Sequence, residues 1–269
     1  MNRNRSIIFK IIAYSAALLL LVPILIIIVW SFANNWPWPL VFPREFGIRG
    51  WEYFFSPTSN SISTLIYSIL LSLTVTFITL LITIPASKAL ALYDFKGKKL
   101  VEVLILAPLI VSPVAVAMGI HQLFIKLRLA NTFFGVVLVH LIPCIPYSVR
   151  ILKNVFETVG DKFQIQGKVL GASPLKNFIY VTLPIISPGI ISAASLVFTV
   201  SFSQYFLTFL IGGGRIITYP MVMFPFVQSG DRMIASVYSI VFIVASLICL
   251  RLMDRLLKKY YKRGDYFYI

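Results

Sequence analysis

Two groups of residues in this chain are spaced for a defined chemistry, and in both it is hydrogen bonding rather than bond making. Gly171-Ala172-Ser173-Pro174 sets a glycine, a hydroxyl and a proline in the order that stops one helix and starts another, and Leu183-Pro184 follows after eight intervening residues. Glycine accepts the left-handed conformation after a last helical turn. Serine accepts from the first free amides of the next helix, and proline suits its first position, where no N–H partner is needed. Ile165-Gln166-Gly167 leads into this group. The second group is Ser201, Ser203, Gln204, Tyr205 and Thr208, polar side chains within an apolar run. At membrane depth such groups are costly unless they line a path or bond to another helix. Both roles fit them.

Patterns for catalysis are missing from the sequence. There is no Gly-x-x-x-x-Gly-Lys-[Ser/Thr] phosphate loop, so this chain is not expected to hydrolyse ATP itself. No His-Glu-x-x-His or Gly-x-Ser-x-Gly occurs, and His121 and His140 fall on different apolar segments. His140 reads as a histidine bonded to a neighbouring helix. Cys144 and Cys249 are isolated, which implies neither a disulfide framework nor a metal site.

The elements that carry these residues are membrane helices. The chain is 59% hydrophobic, 12% charged and has a mean hydropathy of +0.90, against about 25% charge in soluble domains. Runs long enough for a helical span, roughly 20 apolar residues, fall at about 8–32, 62–88, 101–124, 132–150, 186–211 and 234–253. None alternates as a membrane β-strand does. The expectation is an all-α polytopic protein with six transmembrane helices in a single domain, 1–269. The first apolar run is too long for a signal peptide core and reads as a retained helix.

Charge orients this arrangement. With a cytoplasmic N-terminus, 18 of the 24 Lys and Arg fall on the cytoplasmic side, 6 on the other. That is the positive-inside asymmetry, and it places both termini in the cytoplasm. The net charge of +15 is therefore topological and does not imply nucleic acid. The basic tail Lys258-Lys259-Tyr260-Tyr261-Lys262-Arg263 suits anionic lipid head groups. Trp36, Trp38 and Trp51, in the first outer loop, suit the membrane interface.

Within the spans, Pro108, Pro113, Pro143 and Pro146 predict kinks. Asn131 and Thr132 are candidate caps for the fourth span. The stretch 151–185 breaks the membrane pattern with Glu157, Asp161, Lys162, Gln164, Gln166 and Lys168. It predicts two short helices across the Gly171 turn, lying beneath the membrane on the cytoplasmic side. A membrane protein driven by a soluble partner needs a docking element there.

This stretch resembles the cytoplasmic loop of the binding-protein-dependent ABC importer permeases. That loop reads Glu-Ala-Ala, three residues, Gly, then about nine residues to an apolar-X-Leu-Pro. Gly171 stands at the glycine, Val181-Thr182-Leu183-Pro184 at the end, and Pro188-Gly189-Ile190 also matches. Ile165-Gln166-Gly167 replaces the Glu-Ala-Ala opening, a departure that bears on the contacts of the lost acid. The resemblance implies the MetI-like helix bundle and a bacterial inner-membrane location. It further implies a coupling loop over Ile165, Gln166, Gly167, Gly171, Ala172, Ser173, Pro174, Leu183 and Pro184, which seats in an ATPase subunit.

The implied partners are a pair of ATPase subunits, a second permease subunit (homologous or identical), an extracytoplasmic solute-binding protein and membrane lipids. No cofactor is expected on this chain; ATP and Mg belong to the ATPase. Residues 203–215 look like the branch that carries polyamines, thiamine, ferric iron or aminophosphonates, which makes Ser201, Ser203, Gln204, Tyr205 and Thr208 candidates for the translocation path. All nine acids lie outside the spans or near their ends, which weighs against a polyamine route built on carboxylates. An ion-gradient-driven transporter is the alternative; it predicts intramembrane ionisable groups and inverted repeats, and neither is evident.

Overall fold

Apolar runs at the length of a bilayer and polar turns between them produce an almost wholly helical chain. The computed structural model describes residues 3–37 and 39–261. In order, α1 (Arg3–Trp30) leads to a short antiparallel pair, β1 (Ala33–Asn35) and β2 (Glu45–Phe46), then α2 (Arg49–Phe55). The long helix α3 (Ser61–Leu92) is followed by α4 (Lys98–Ile110), α5 (Pro113–Lys126) and α6 (Phe133–Val159). Next come the short α7 (Lys162–Val169) and α8 (Pro174–Asn177), then α9 (Leu183–Phe202) and α10 (Phe206–Gly212). The last described elements are α11 (Tyr219–Ser229) and α12 (Arg232–Tyr261). Trp38, Lys262 and Arg263 lie outside the described residues, as do the side chains of Lys258, Lys259, Tyr260 and Tyr261.

Four helical stretches are long and apolar enough to cross a bilayer: Ser61–Leu92, Phe133–Val159, Pro174–Phe202 and Arg232–Leu256. The pair Lys98–Ile110 and Val114–Lys126 makes a fifth if counted together. α1 is helical over 28 residues, with an apolar stretch described from Leu21 to Trp30. The protein is an all-α membrane bundle.

Three boundaries differ from the sequence reading, each for a physical reason. The third span is not one helix over 101–124: α4 and α5 meet at a bend of 105°. Pro113 has no amide to donate and holds Ser112 extended, with ψ 127°. The fourth span does not end near Arg150. It continues as an amphipathic helix to Val159, with Leu152 and Phe156 buried and Lys153 bonded to Glu102 at 2.7 Å. The fifth span does not run unbroken over 186–211. It starts earlier, continuous from Pro174, and breaks at Ser203-Gln204-Tyr205 between α9 and α10.

The chain forms two compact units. One comprises the described residues up to Ser63 with Met221–Ala245. In it the Tyr238 and Ser61 hydroxyls bond, and Phe54 sits edge-on to Tyr238 at 5.2 Å. Gly50 allows close contact, since a Cβ there would stand 3.0 Å from Val237.

The other unit, Thr64–Pro220 with the described residues from Ser246, holds the main core. Its largest cluster includes Leu71, Val75, Val136, Val139, Cys144, Val197 and Ile211. A second cluster joins Leu152 and Phe156 of α6 to Ile186, Ile190 and Ala193 of α9. Both clusters run along α6, whose most apolar stretch is 61% buried, so α6 is the helix against which the others are set. The Thr83 and Ser148 hydroxyls pair at 2.6 Å, which satisfies both within the core.

Candidate functional site

The segment from Gly160 to Pro184 forms a small helical knob, each turn of which has a local cause. Gly160, with φ +69°, ends α6, and Asp161 opens α7. At the far end of α7 the amide of Ala172 donates to the Gly167 carbonyl and that of Gly171 to Lys168, both at 3.0 Å. With Gly171 at φ +80°, this is a Schellman motif. The Ser173 hydroxyl then accepts from the Lys176 amide at 3.4 Å, and Pro174 takes the first position of α8.

A second contact closes the knob. Asn177 is buried, and its Nδ2 donates to the Gln164 carbonyl at 2.7 Å. A Cβ on Gly167 would lie 2.7 Å from Asn177 Oδ1, so the glycine makes room for the asparagine. Nothing in the sequence reading singled out Asn177, because its partners are ten and thirteen residues away across a turn. The knob also leaves large apolar side chains uncovered: Leu170 is 87% exposed, Val169 80% and Leu175 69%. Ile165 and Gln166 are exposed as well, with Lys162, Lys168 and Lys176 around them.

Leu183-Pro184 does not end a loop; it lies inside a helical rod running from Pro174 to Phe202. The residues Phe178–Thr182 form a π-helical turn, with the Leu183 amide bonded to the Phe178 carbonyl. Pro184 accounts for it. A proline cannot donate to the carbonyl four residues earlier and its ring crowds that group, so the turn before it widens. The rod reaches α6 at Gly189, where a Cβ would stand 2.6 Å from Val155 Cγ2.

The second group of polar residues gathers around His140 of α6. Its Nε2 lies 2.8 Å from Thr208 Oγ1 and its Nδ1 3.0 Å from Ser201 Oγ. The Thr208 hydroxyl is also 3.1 Å from the Gln204 carbonyl. If its proton goes there, Thr208 accepts from Nε2–H and Nδ1 accepts from Ser201. Both ring nitrogens have a hydroxyl partner. All three side chains are buried. The inter-helix hydrogen-bond role thus takes Ser201 and Thr208, joining α6, α9 and α10.

Ser203 is exposed and bonds back to the Thr199 carbonyl at 2.8 Å. Gln204 and Tyr205 are half-buried at the break between α9 and α10, where Tyr205 stacks on Phe209. The end of α10 is fixed by Asn131, whose amide donates to the Ile211 carbonyl at 2.7 Å. Thr132 caps α6 by accepting from Gly135 at 3.0 Å. Among the described residues, no group of three His, Cys, Asp or Glu could hold a metal ion.

Comparison with known proteins agrees with this architecture. Residues 80–262 match the family model of the binding-protein-dependent transport system inner membrane component. The molybdenum transport system permease protein ModB of Haemophilus influenzae is 30% identical over 74% of this chain and 96% of its own. The spermidine/putrescine permease protein PotC of the same organism is 23% identical over 89% and 92%. Against the molybdate/tungstate permease protein WtpB of Pyrococcus abyssi the identity is 29%, over 51% of this chain. There the match spans only about half, 55%, of the relative's length. A crystal structure of a bacterial ABC transporter involved in import of the acidic polysaccharide alginate shares the fold, with a TM-score of 0.70 at 15% identity. It covers 97% of this chain and 99% of that one. The chain belongs to the binding-protein-dependent transport system inner membrane components, the permease family of ABC importers.

Proposed function

We infer that this chain is one permease subunit of an ATP-driven importer and that its knob, Ile165 to Pro184, seats in a groove of a separate ATPase subunit. The observation that carries this reading is the join between an exposed apolar tip and a membrane rod. Val169, Leu170 and Leu175 are uncovered, and the Schellman turn and Asn177 hold them in fixed geometry. The helix from Pro174 to Phe202 then connects the knob to the middle of the bundle. ATP and Mg bind on the ATPase. A second permease subunit, identical or homologous, completes the path, and an extracytoplasmic binding protein delivers the solute. Both termini face the cytoplasm, as the basic side chains favour.

Ser203, Gln204 and Tyr205 border the solute path at the broken fifth span, and the His140 cluster holds the adjoining wall. The cargo is a small solute. The names of the relatives divide between polyamines and the oxyanions molybdate, tungstate and sulfate. All nine acids lie outside the apolar spans read from the sequence or near their ends, which favours an oxyanion over a polyamine drawn through by carboxylates.

A pull-down from native membranes in mild detergent, with mass spectrometry of the bound proteins, tests the reading. Recovery of an ATPase and a binding protein supports it, and the binding protein is then titrated with molybdate, sulfate, putrescine, spermidine, thiamine, aminophosphonate and ferric iron. Recovery of the folded chain alone, from membranes where it is abundant, would favour an ion-driven transporter instead.

A further inference from the structure

The end of α1 and the start of α12 frame a recess in two parts, and the transport reading uses neither. The polar part, about 610 Å³, is lined by Asn34, Arg49, Asp231 and Arg232 together with Trp30 and Trp36. The other part, about 310 Å³, is lined by Ile26, Leu40 and Val41. Trp30, Trp36 and Arg232 line both, so the two parts adjoin.

Charge in the polar part is uneven. The Asp231 carboxylate accepts twice from Arg49 Nη2, at 2.9 and 3.0 Å, and again from the Ile234 amide at 3.2 Å. Arg232 makes no ion pair among the described residues. Its guanidinium lies 5.3 Å from the centre of a Trp30 ring. The Trp30 indole nitrogen is buried, so the recess meets this residue through its ring. A guanidinium without an ion pair, held over an aromatic face, suits an anionic oxygen.

The apolar part narrows the choice of ligand. A free anion would leave it empty, whereas an amphiphile fills both parts. On the same helix as Ile26 and Trp30, Leu25, Ile28 and Val29 are exposed apolar side chains, a surface suited to acyl chains. Trp30 and Trp36 fit the aromatic belt at the edge of the hydrocarbon.

We propose that this recess binds one phospholipid with an anionic head group, its phosphate on Arg232 and one acyl chain along Ile26, Leu40 and Val41. The bound lipid fixes the first outer loop against the start of α12.

Native mass spectrometry of the full chain, purified with its associated subunits, tests this by titration with phosphatidylglycerol, phosphatidylcholine or inorganic phosphate. Phosphatidylglycerol should bind in preference to phosphatidylcholine. Arg232→Gln should weaken it about fivefold, the effect of one cation at a lipid surface, and Arg232→Lys should keep most of the preference. Ile26→Trp, which fills the apolar part, should weaken both lipids. Elution volume checks folding; if Arg232→Gln aggregates, the other two variants decide. Equal binding of the two lipids to the native protein would overturn the proposal. So would unchanged lipid binding in the folded variants, or displacement of the lipid by equimolar phosphate. Cross-linking from a photoreactive residue at position 41 to the solute-binding protein, with no lipid captured, would reassign the recess to that protein.

Discussion

Asn177 stands where a side chain on residue 167 would have to go: its Oδ1 lies 2.7 Å from the position of a Cβ on Gly167, while its Nδ2 is bonded to the Gln164 carbonyl. The two residues are ten apart in sequence and belong to different helices of the knob. The pair ties α7 to α8 across the Gly171 turn.

Helix propensity alone would make Gly167→Ala more stable by about 1 kcal/mol. The clash with Asn177 should reverse that sign. Asn177→Ala should cost about 1 kcal/mol through its lost hydrogen bond, and the double variant should cost less than the two singles together. Thermal unfolding of the four proteins in detergent gives the coupling, expected within roughly 0.5–3 kcal/mol for groups in contact. Strict additivity would mean that the contact has no energetic weight.

Gly171 should tolerate no large side chain without loss of transport. Its φ of +80° costs an L-residue about 1–2 kcal/mol, and the turn sets the direction of the exposed tip. Gly171→Trp is expected to insert normally into membranes, yet to abolish uptake and copurification of the ATPase. Uptake at the native rate by a folded variant would remove the coupling assignment.

Gly189→Ala should destabilise the bundle by about 1–3 kcal/mol, the usual cost of overpacking, because its Cβ would meet Val155 Cγ2 at 2.6 Å. Adding Val155→Ala should restore much of the loss. If the second change makes the protein weaker still, the close approach of α6 and α9 is not the cause.

His140→Ala should lower the melting temperature more than Ser201→Ala, because it leaves two buried hydroxyls without their shared partner. A loss of about 1–3 kcal/mol is expected for the Ser201 hydroxyl left unsatisfied, while Thr208 keeps its bond to the Gln204 carbonyl. Since both ring nitrogens are bonded to hydroxyls, His140→Gln should recover part of the stability. Full recovery by leucine would show that packing alone matters at this site.

Much of this could be read from the chain because the signals are local. Gly171, Ser173, Pro174 and Thr132 announce helix ends through the chemistry of a few adjacent amides, and the structure uses each as such. Hydropathy found the apolar stretches but not their breaks. A window over 101–124 is blind to the extended Ser112, and one over 186–211 to the break after Phe202. The end of α6 was hidden for the opposite reason. Beyond Arg150 the mean polarity rises, although Leu152 and Phe156 still face inward. Contacts such as Asn177 with Gly167, or His140 with Ser201 and Thr208, join residues that only the folded chain brings together.

The rod from Pro174 to Phe202 has 29 residues and a contour of roughly 43 Å at 1.5 Å per residue. Gly189 lies nearly at its middle, and a Cβ there would stand 2.6 Å from Val155 Cγ2 of α6. Around it Ile186, Ile190 and Ala193 pack on Leu152 and Phe156 of α6, and Ser201 near the far end is bonded to His140. Rod and α6 are thus riveted together along most of the membrane stretch. A push on the knob would be passed to the pair as to a single beam, and the His140 cluster would travel with it.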